Sequence, residues 1–247
     1  MDWGAIDSFN VITVNGSTNL EGFLENVEKV GLKDRVKVHT FAGVSGKNDG
    51  EGVCSPAQMC IDIFRTQHRC CNAICRDIAR NHKSIIKEAF EAGHDNVAIF
   101  EDDARFVELD SKRLQNILDF IKKGDYDVFY FGHCPVIPVG YPVSQNIVRT
   151  YYPGLFHAYV VNRRAMSKIL EIDDCSYIDL VVGRDLGLKK YGAYPSVNYQ
   201  VKGPGVYTSM KVSKLLHFNT VNAVLEKIQY YGLVVLILLV VYYFNNS

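Results

Sequence analysis

The sequence predicts a three-layer α/β domain with a mainly parallel sheet, because short apolar runs alternate with helical patterns along most of the chain. The first alternation, from Phe9 to Phe41, is a strand, a helix and a strand within about 35 residues, which is the length of a βαβ unit. The crossover in such a unit makes its two strands parallel. In addition, three acidic residues directly follow a later strand, at the edge where open α/β sheets bind ligands.

The period of each apolar run assigns it to a strand or a helix. Runs rich in β-branched and aromatic residues predict strands at Phe9–Val14, Arg35–Phe41, Asn96–Phe100, Tyr126–Phe131 and Phe156–Val161. Helical spacing predicts helices from Thr18 or Asn19 to Val30, two within Pro56–Ala92, and others at Leu114–Ile121, Arg164–Leu170 and Ile178–Gly187. We expect loops at 43–55 and 133–150. No linker interrupts the chain before residue 215, which indicates a single domain over residues 1–215.

The composition excludes several classes of protein. Of the 247 residues, 48% are hydrophobic and 22% are charged, as in a globular protein rather than a disordered or multi-span membrane protein. The 27 Lys and Arg balance the 27 Asp and Glu, so no net charge attracts the chain to a nucleic acid, and we expect no such partner. The 7 Cys have no regular spacing, which indicates reduced thiols in a reducing compartment.

The C-terminal region predicts a membrane anchor. Residues 228–244 (IQYYGLVVLILLVVYYF) carry no charge, and at ~1.5 Å per residue they would form a helix of roughly 25 Å, against a hydrocarbon core of ~30 Å. Tyrosines lie at both ends, as interfacial aromatic residues do. We therefore expect a single-pass tail anchor at 228–244, a juxtamembrane segment at 216–227 and a domain that faces the cytosol. A buried core helix and an amphipathic interface helix are the alternatives.

Glu101, Asp102 and Asp103 form an acidic cluster directly after the strand Asn96–Phe100. Three adjacent carboxylates repel one another, and a hard divalent cation such as Mg²⁺ or Mn²⁺ relieves that repulsion. Such an ion usually takes one or two protein carboxylates together with substrate phosphates, so the cluster favours a diphosphate-binding site. A solvated acidic turn or a helix N-cap is the alternative interpretation.

The segment Asn81–Val107 (NHKSIIKEAFEAGHDNVAIFEDDARFV) resembles the core of glycosyltransferase family 25, which includes bacterial lipopolysaccharide galactosyltransferases and the collagen galactosyltransferases. The family has a histidine at the opening of a helix, then a hydrophobic strand and a Glu-Asp-Asp motif. The resemblance covers about residues 9 to 200, through the similar segments Phe9–Asn15, Phe41–Gly43, Asp127–Gly132, His157–Leu170, Tyr177–Asp179 and Ala193–Gln200. The Glu-Asp-Asp and His-Ala-Tyr blocks are its most specific parts.

This resemblance implies a GT-A-like fold and a specific reaction. The protein would use Mn²⁺ or Mg²⁺ and a nucleotide-sugar donor, which we expect to be UDP-linked. It would transfer a hexose of the galactose or glucose type to a hydroxyl group of a glycan or glycoprotein acceptor, with inversion at the anomeric carbon. The metal would bridge the donor diphosphate to the protein and act as a Lewis acid.

The resemblance also implies roles for individual residues. Glu101 and Asp103 would hold the metal, together with His217 in the predicted juxtamembrane segment. Asp179 matches the family's later aspartate and would take the proton of the acceptor hydroxyl. Donor contacts would come from Asn15, His82, Asp102, His157 and Tyr159. Purely structural roles remain open for the histidines, and Asp179 could instead interact with the backbone dipole of its helix.

Two departures from the family pattern bear on function. Gly16–Gly22 (GSTNLEG) stands where the family has an Arg-rich stretch, and Asn81 stands where it has a serine. A catalytically inactive relative, acting as a sugar-binding or scaffold protein, is therefore an alternative. A metal-dependent phosphotransferase or nucleotidyltransferase would share the acidic cluster, but the sequence contains no Gly-rich phosphate loop of the Walker type.

Overall fold

An eight-stranded sheet organises the chain in the computed structural model, which describes residues 2–43, 73–108, 110–135, 140–174, 176–184, 187–201, 223–232 and 235. The strands are Ser8–Val14 (β1), Val36–Phe41 (β2), Asn96–Glu101 (β3), Ala104–Phe106 (β4), Val128–Tyr130 (β5), Cys134–Pro135 (β6), Gly140–Ser144 (β7), Ile147–Thr150 (β8), Pro153–Gly154 (β9), Ala158–Asn162 (β10), Lys190–Ala193 (β11) and Asn198–Gln200 (β12). The helices are Leu20–Glu28 (α1), Ala73–Glu91 (α2), Ser111–Lys123 (α3), Arg163–Leu170 (α4), Ile178–Arg184 (α5) and residues 223–232 (α6).

The main sheet is mixed, with the strand order β2-β1-β3-β10-β5-β11-β8-β7. The prediction of a mainly parallel sheet is wrong, because β10 and β8 each run antiparallel to both of their neighbours. A parallel neighbour requires a long crossover, usually a helix, to carry the chain back across the sheet. The chain between β5 and β10 contains no helix among its described residues, so it enters β10 from the edge where β5 ended.

Helices pack on both faces of this sheet, and β3 separates two cores. Ala98 and Phe100 belong to one core, together with side chains of α1 and α3. Val97 and Ile99 belong to the other, together with side chains of α2 and α4. This alternation follows from the two-residue period of a strand. A mixed sheet with helices on both faces is consistent with the GT-A-like fold that the resemblance implies.

Capping residues fix the helices that flank the central strands. The Asp110 carboxylate accepts a hydrogen bond from the Lys112 N–H at 3.1 Å and begins α3, which ends at Gly124 with a left-handed φ of 72°. The side chain of Asn162 accepts from the Ala165 N–H at 2.9 Å and begins α4. Because Asn162 is also the last residue of β10, the strand passes into the helix without a loop.

The helix α6 packs on the α/β domain through buried polar side chains. Gln229 is 1% exposed; its amide nitrogen donates to the Thr150 hydroxyl at 2.8 Å, and its Oε1 lies 3.1 Å from Nε2 of His133. Glu226 is also buried, and its carboxylate accepts hydrogen bonds from the backbone N–H of Ser196 at 3.1 Å and from the Ser196 hydroxyl at 2.5 Å. These contacts tie α6 to β8, to β11 through its following turn, and to the end of β5.

The prediction of a membrane anchor at 228–244, and with it a membrane-attached domain that faces the cytosol, is wrong. The described start of that run packs on protein, since Gln229 is buried there and Tyr230 stacks on Tyr194 with ring centroids 3.8 Å apart. Among the described parts of the chain, none of the helices combines the length and the apolar character that crossing a membrane requires. Residues 216–222, 233–234 and 236–244 lie outside the described residues.

Replacing Gln229 with leucine tests this packing. Leucine has a similar volume but forms neither of the two hydrogen bonds, so we expect the free energy of unfolding in urea to fall by about 1–3 kcal/mol. Ile228 is 48% exposed on the same helix, so the control Ile228→Ala should change the free energy of unfolding by less than ~0.5 kcal/mol. A Gln229→Leu variant as stable as the wild type would contradict the packed position of α6.

Candidate active site

The acidic cluster lies at the carboxyl end of β3, in a turn that backbone hydrogen bonds hold in place. The Glu101 N–H donates to the His157 carbonyl at 2.8 Å, and the Asp102 N–H donates to the Ile12 carbonyl at 3.0 Å. The Asp103 carbonyl accepts from the N–H of Val201, the residue after β12, at 2.8 Å. The turn is therefore fixed to three neighbouring segments, and each carboxylate starts from a fixed backbone position.

His82 connects α2 to Glu101. Its Nδ1 is 2.9 Å from the Tyr159 hydroxyl, and its Nε2 is 3.4 Å from Oε1 of Glu101. The imidazole is 1% exposed and packs against Phe156, which in turn stacks on Tyr159 with ring centroids 3.6 Å apart. These aromatic contacts fix the plane of the ring, so that one nitrogen is directed to Glu101 and the other to the tyrosine.

Gln200 holds Glu101 on its other side, because its amide nitrogen donates to Oε2 at 3.1 Å. Burial acts to raise the pKa of Glu101, but the hydrogen bond and charge of His82 outweigh it, with help from His157 and Gln200. The net effect lowers the pKa of Glu101 below its usual range. Glu101 is therefore ionised at neutral pH, with a partner on each carboxylate oxygen.

Asp103 is the carboxylate of the cluster whose ionised form is least favourable. Its Oδ1 is buried and has no hydrogen-bond partner within the described parts of the chain. Burial raises the pKa of Asp103 well above its usual range, and the charges of Glu101 and Asp102 raise it further, whereas Arg105 and Gln200 act in the opposite direction. A carboxyl group in these surroundings needs either a proton or a cation.

Two of these carboxylates could hold a divalent cation. Glu101 and Asp103 are near enough for their charges to interact, and Oδ1 of Asp103 is an oxygen without a partner among the described residues. Mg²⁺ and Mn²⁺ prefer such oxygens and need few protein ligands when substrate phosphates complete the set. The described residues contain no group of three or more His, Cys, Asp and Glu side chains placed to hold a metal. His217, the third predicted ligand, lies outside the described residues.

Asp102 is bound to β1, because its Oδ2 accepts a hydrogen bond from the Thr13 hydroxyl. The backbone carbonyl of Asp102 accepts from the Arg105 guanidinium at 2.8 Å, and the same guanidinium donates to the Asn19 carbonyl at 2.9 Å. Arg105 therefore lies against the segment 16–22, where a Cβ on Gly22 would be 2.8 Å from its Nη2. An arginine that follows the acidic cluster thus packs beside the segment in which the family pattern has its own arginines.

Asp179 lies at the start of α5, where its Oδ1 accepts from the Leu180 N–H at 2.9 Å. Burial raises the pKa of Asp179, the N–H groups of Leu180 and Leu155 act to lower it, and the charge of Glu101 raises it. Leu155 has a positive φ of 69°, which is uncommon for a residue other than glycine. Burial, and then the charge of Asp179, raises the pKa of the Tyr130 hydroxyl. Asp179 is therefore electrostatically linked to the acidic cluster.

His157 is buried beside Glu101. Neither of its ring nitrogens has a hydrogen-bond partner of normal geometry among the described residues, although the Asn198 carbonyl is near. Burial lowers the pKa of His157 to about 4, while the charge of Glu101 and the Asn198 carbonyl act to raise it. The imidazole is consequently neutral at pH 7, with one N–H donor and one acceptor nitrogen.

The low pKa of His157 predicts a loss of stability in mild acid. The unfolded chain binds this proton near pH 6.5 and the folded protein only near about pH 4, so the free energy of unfolding falls as the pH drops between these values. By about pH 5 the loss is about 2 kcal/mol. His157→Gln should remove this loss in urea titrations at several pH values, and the control His94→Gln should retain it. The wild-type pH dependence in His157→Gln would contradict the neutral, buried state.

The structure brings most of the predicted site residues to one end of the sheet. His82, Glu101 and Tyr159 form one hydrogen-bonded group, the carboxyl groups of Asp103 and Asp179 interact electrostatically with Glu101, and the backbone of His157 is bonded to it. Asn15 differs, because it is exposed just beyond the end of β1 and its N–H donates to the Phe41 carbonyl at 2.9 Å.

Sequence reasoning does not single out Thr13, Tyr130, Asn198 and Gln200. Thr13 lies within a run that predicts a buried strand, and the two amides lie in a segment that the resemblance covers without giving them a role. The signal that could have found them is a polar side chain inside or at the end of an otherwise apolar strand. Such a side chain needs a partner when it is buried.

No protein-family model and no curated protein matches this chain. Solved structures align with it at low TM-scores, as three of them illustrate. A197 from STIV aligns with a TM-score of 0.39 and 14% identity, over 79% of this chain and 86% of that chain. A glycosyltransferase involved in the glycosylation of the major capsid of PBCV-1 aligns with a TM-score of 0.31 and 13% identity, over 66% of this chain and 63% of that chain. UDP-glucose pyrophosphorylase complexed with UDP-glucose aligns with a TM-score of 0.37 and 8% identity, over 74% of this chain and 72% of that chain. Likenesses this low carry no argument about function.

Proposed function

We propose that the chain is a metal-dependent glycosyltransferase that moves a hexose from a nucleotide-sugar donor to a hydroxyl group. The observation that carries this proposal is the pair Glu101 and Asp103 at the carboxyl end of β3, with Oδ1 of Asp103 buried and unpartnered among the described residues. Open α/β sheets bind ligands at that edge. A divalent cation shared with a diphosphate would satisfy this oxygen and offset the repulsion between the carboxylates.

The proposal includes membership of glycosyltransferase family 25, on the motifs given above. It also includes Mn²⁺ or Mg²⁺ and a UDP-linked hexose of the galactose or glucose type. The acceptor would be a hydroxyl group of a glycan or glycoprotein.

The residues around the cluster would hold and orient the metal ligands. Glu101 and Asp103 would bind the ion, and when bound it would offset the negative charge that develops on the leaving diphosphate. His82 and Gln200 keep Glu101 ionised and fix both of its oxygens. Thr13 fixes Asp102 against β1, so the turn keeps its position without the ion.

Asp179 is our candidate for the catalytic base. Burial raises its pKa toward the working pH, which strengthens it as a proton acceptor, and the N–H groups of Leu180 and Leu155 fix its orientation. The proton of the acceptor hydroxyl would move to an oxygen of Asp179 as the hydroxyl oxygen bonds to the anomeric carbon. In the same displacement the bond from that carbon to the diphosphate oxygen breaks, and the nucleoside diphosphate leaves.

Release of UDP from nucleotide sugars tests the proposed function. The full chain is incubated with UDP-glucose or UDP-galactose, with Mn²⁺, with Mg²⁺ or with EDTA, in the presence and absence of glycan acceptors. We expect UDP release to require the divalent cation and to increase when an acceptor supplies a free hydroxyl. No UDP release from a panel of nucleotide hexoses would contradict the proposal and favour the catalytically inactive, sugar-binding alternative.

A further inference from the structure

A cleft of about 310 Å³ opens beside the acidic cluster, between the chain around β12 and the helix α6. Val107, Leu155 and Pro195 supply apolar wall, and His157 and Asn198 supply polar side chains. Gln200 lines the cleft and also donates to Glu101, so the cleft adjoins the proposed catalytic site directly.

Two buried side chains in this cleft have unused hydrogen-bonding groups. Asn198 is 2% exposed, and neither the nitrogen nor the oxygen of its amide has a partner in the described ranges. His157 is equally buried, and neither of its ring nitrogens has a partner of normal geometry in the described ranges, although the Asn198 carbonyl is near. Buried polar side chains nearly always have partners. The amide of Asn198 can both donate and accept hydrogen bonds, so together with the imidazole it indicates a ligand whose groups also do both, as hydroxyl groups do.

The charge of the cleft disfavours an anionic ligand. None of the described residues that line it is Lys or Arg, and the carboxylate of Glu226 interacts with the charge of Arg113 beside the cleft. The carboxyl group of Glu101 accepts a hydrogen bond from Gln200 at the edge of the cleft. A phosphate or carboxylate would therefore find no Lys or Arg side chain among the described lining residues to bind it, whereas an uncharged ligand needs none.

The size of the cleft favours one sugar unit. Its volume is at the small end of the ~300–1,000 Å³ range of small-molecule pockets, so it suits a single pyranose better than an entire nucleotide sugar. The apolar wall from Leu155 and Pro195 matches the C–H face of a pyranose ring, and the polar side chains match its hydroxyl groups.

We propose that this cleft binds an uncharged pyranose unit, with Asn198 and His157 bonded to its hydroxyl groups. The proposal rests on the proposed function, which places the diphosphate outside the cleft, at Glu101 and Asp103. The pyranose is either a sugar of the acceptor glycan or the hexose of the donor, and both present the same chemistry to the cleft. The helix α6 closes one side of this binding site through Ala223 and Glu226.

Saturation-transfer NMR with methyl glucopyranosides and methyl galactopyranosides tests the proposal, without metal or nucleotide. We expect the wild type to bind at least one of these probes and to bind glucose 1-phosphate more weakly. Asn198→Leu should weaken binding roughly tenfold or more, because the bonds from both amide groups are lost. The melting temperature of this variant should equal or exceed that of the wild type, because a buried polar group without a partner disappears. A purely structural asparagine would instead lower the melting temperature when replaced.

Matched variants separate the outcomes. Asn116→Leu, exposed on α3, should keep the wild-type affinity. If Asn198→Leu does not fold, Asn198→Asp has nearly the same shape, and the loss of its amide donors should weaken binding. UDP-glucose with Mn²⁺ should displace the methyl glycoside if the cleft holds the donor hexose, and should bind together with it if the cleft holds the acceptor.

Two results would overturn the proposal, namely no binding of any methyl glycoside by the wild type, or unchanged affinity in the Asn198 variants. Because this assay contains no metal or nucleotide, its failure is distinguishable from failure of the proposed function. Glycoside binding without any UDP release would leave the cleft assignment intact and contradict the catalytic one.

Discussion

Replacing Asp103 with asparagine should raise the melting temperature of the metal-free protein and at the same time remove its transferase activity. Asparagine has nearly the same shape but no charge, so the cost of burying a carboxylate and its repulsion from Glu101 and Asp102 both disappear. Each ~1 kcal/mol of this destabilisation that the substitution removes should raise the melting temperature by about 2–4 °C in a chain of this size. Activity should fall at least about 100-fold, because even residues that merely support a metal ligand are worth about 10–100-fold.

The stability gain in Asp103→Asn should depend on pH. The folded-state pKa of Asp103 is raised above its ordinary value of 3.8, so the wild type loses stability as the pH rises above that value, and the variant does not. The gain should therefore be absent in strong acid and largest at neutral pH. Asp119→Asn, exposed on α3, is the matched control and should change neither property. If Asp103→Asn kept the turnover rate of the wild type, this result would contradict the role of Asp103 as a metal ligand.

Asp179→Asn should lower kcat by about 10²–10⁴-fold and leave the KM for the donor nearly unchanged. Asparagine keeps the hydrogen bond from the Leu180 N–H but cannot take a proton from the acceptor. In the wild type, kcat should fall as the pH drops through the raised pKa of Asp179, because the base must be ionised. The residual activity of the variant should lack this acidic limb. Steady-state kinetics between about pH 5 and about pH 8 measure both effects.

A control variant separates catalysis from folding at this position. Asp173 is exposed ahead of α5, and Asp173→Asn should retain wild-type kinetics. Asp179→Asn should still bind UDP and Mn²⁺ with wild-type affinity, since the metal ligands are untouched. A variant that keeps the wild-type kcat, or one that loses UDP binding along with kcat, would contradict the role of Asp179 as a base.

The central strands of the sheet could be predicted from the sequence because they are buried on both faces. The strands β1 and β3 lie within a residue of their predicted bounds, and β5 lies inside its predicted run. Strands covered on both sides form nearly continuous apolar runs that turn residues delimit clearly. The acidic cluster could be placed for the same reason, since its first residue, Glu101, is the last residue of β3.

The sheet edge formed by β7 and β8 could not be predicted in this way, although the opposite edge strand, β2, lies within a residue of its predicted bounds. The prediction of a loop over 133–150 is wrong for its second half, where β7 and β8 form a hairpin that extends the main sheet. Tyr141 and Val143 are exposed on β7, so this strand has no apolar run of the kind that marks the centre of the sheet.

Long-range contacts decide the features that local patterns miss. The apolar run that contains Gln229 predicts a membrane helix when it is considered alone. The side chain of Gln229 contacts Thr150 and His133, which are 79 and 96 residues away in the chain, and only these contacts show that the helix packs on protein. Gln200 likewise meets Glu101 across 99 residues. No local period in a sequence carries such pairings, and for this reason the cleft was not predicted.

Titration calorimetry of Mn²⁺ into the full chain in the presence of UDP tests most directly whether the acidic cluster joins a divalent cation to a nucleotide diphosphate. We expect uptake of Mn²⁺ by the wild type and by Asp119→Asn, and no uptake by Asp103→Asn. Absence of Mn²⁺ uptake by the wild type with UDP, or uptake that Asp103→Asn leaves unchanged, would contradict a metal-dependent transferase site at this cluster.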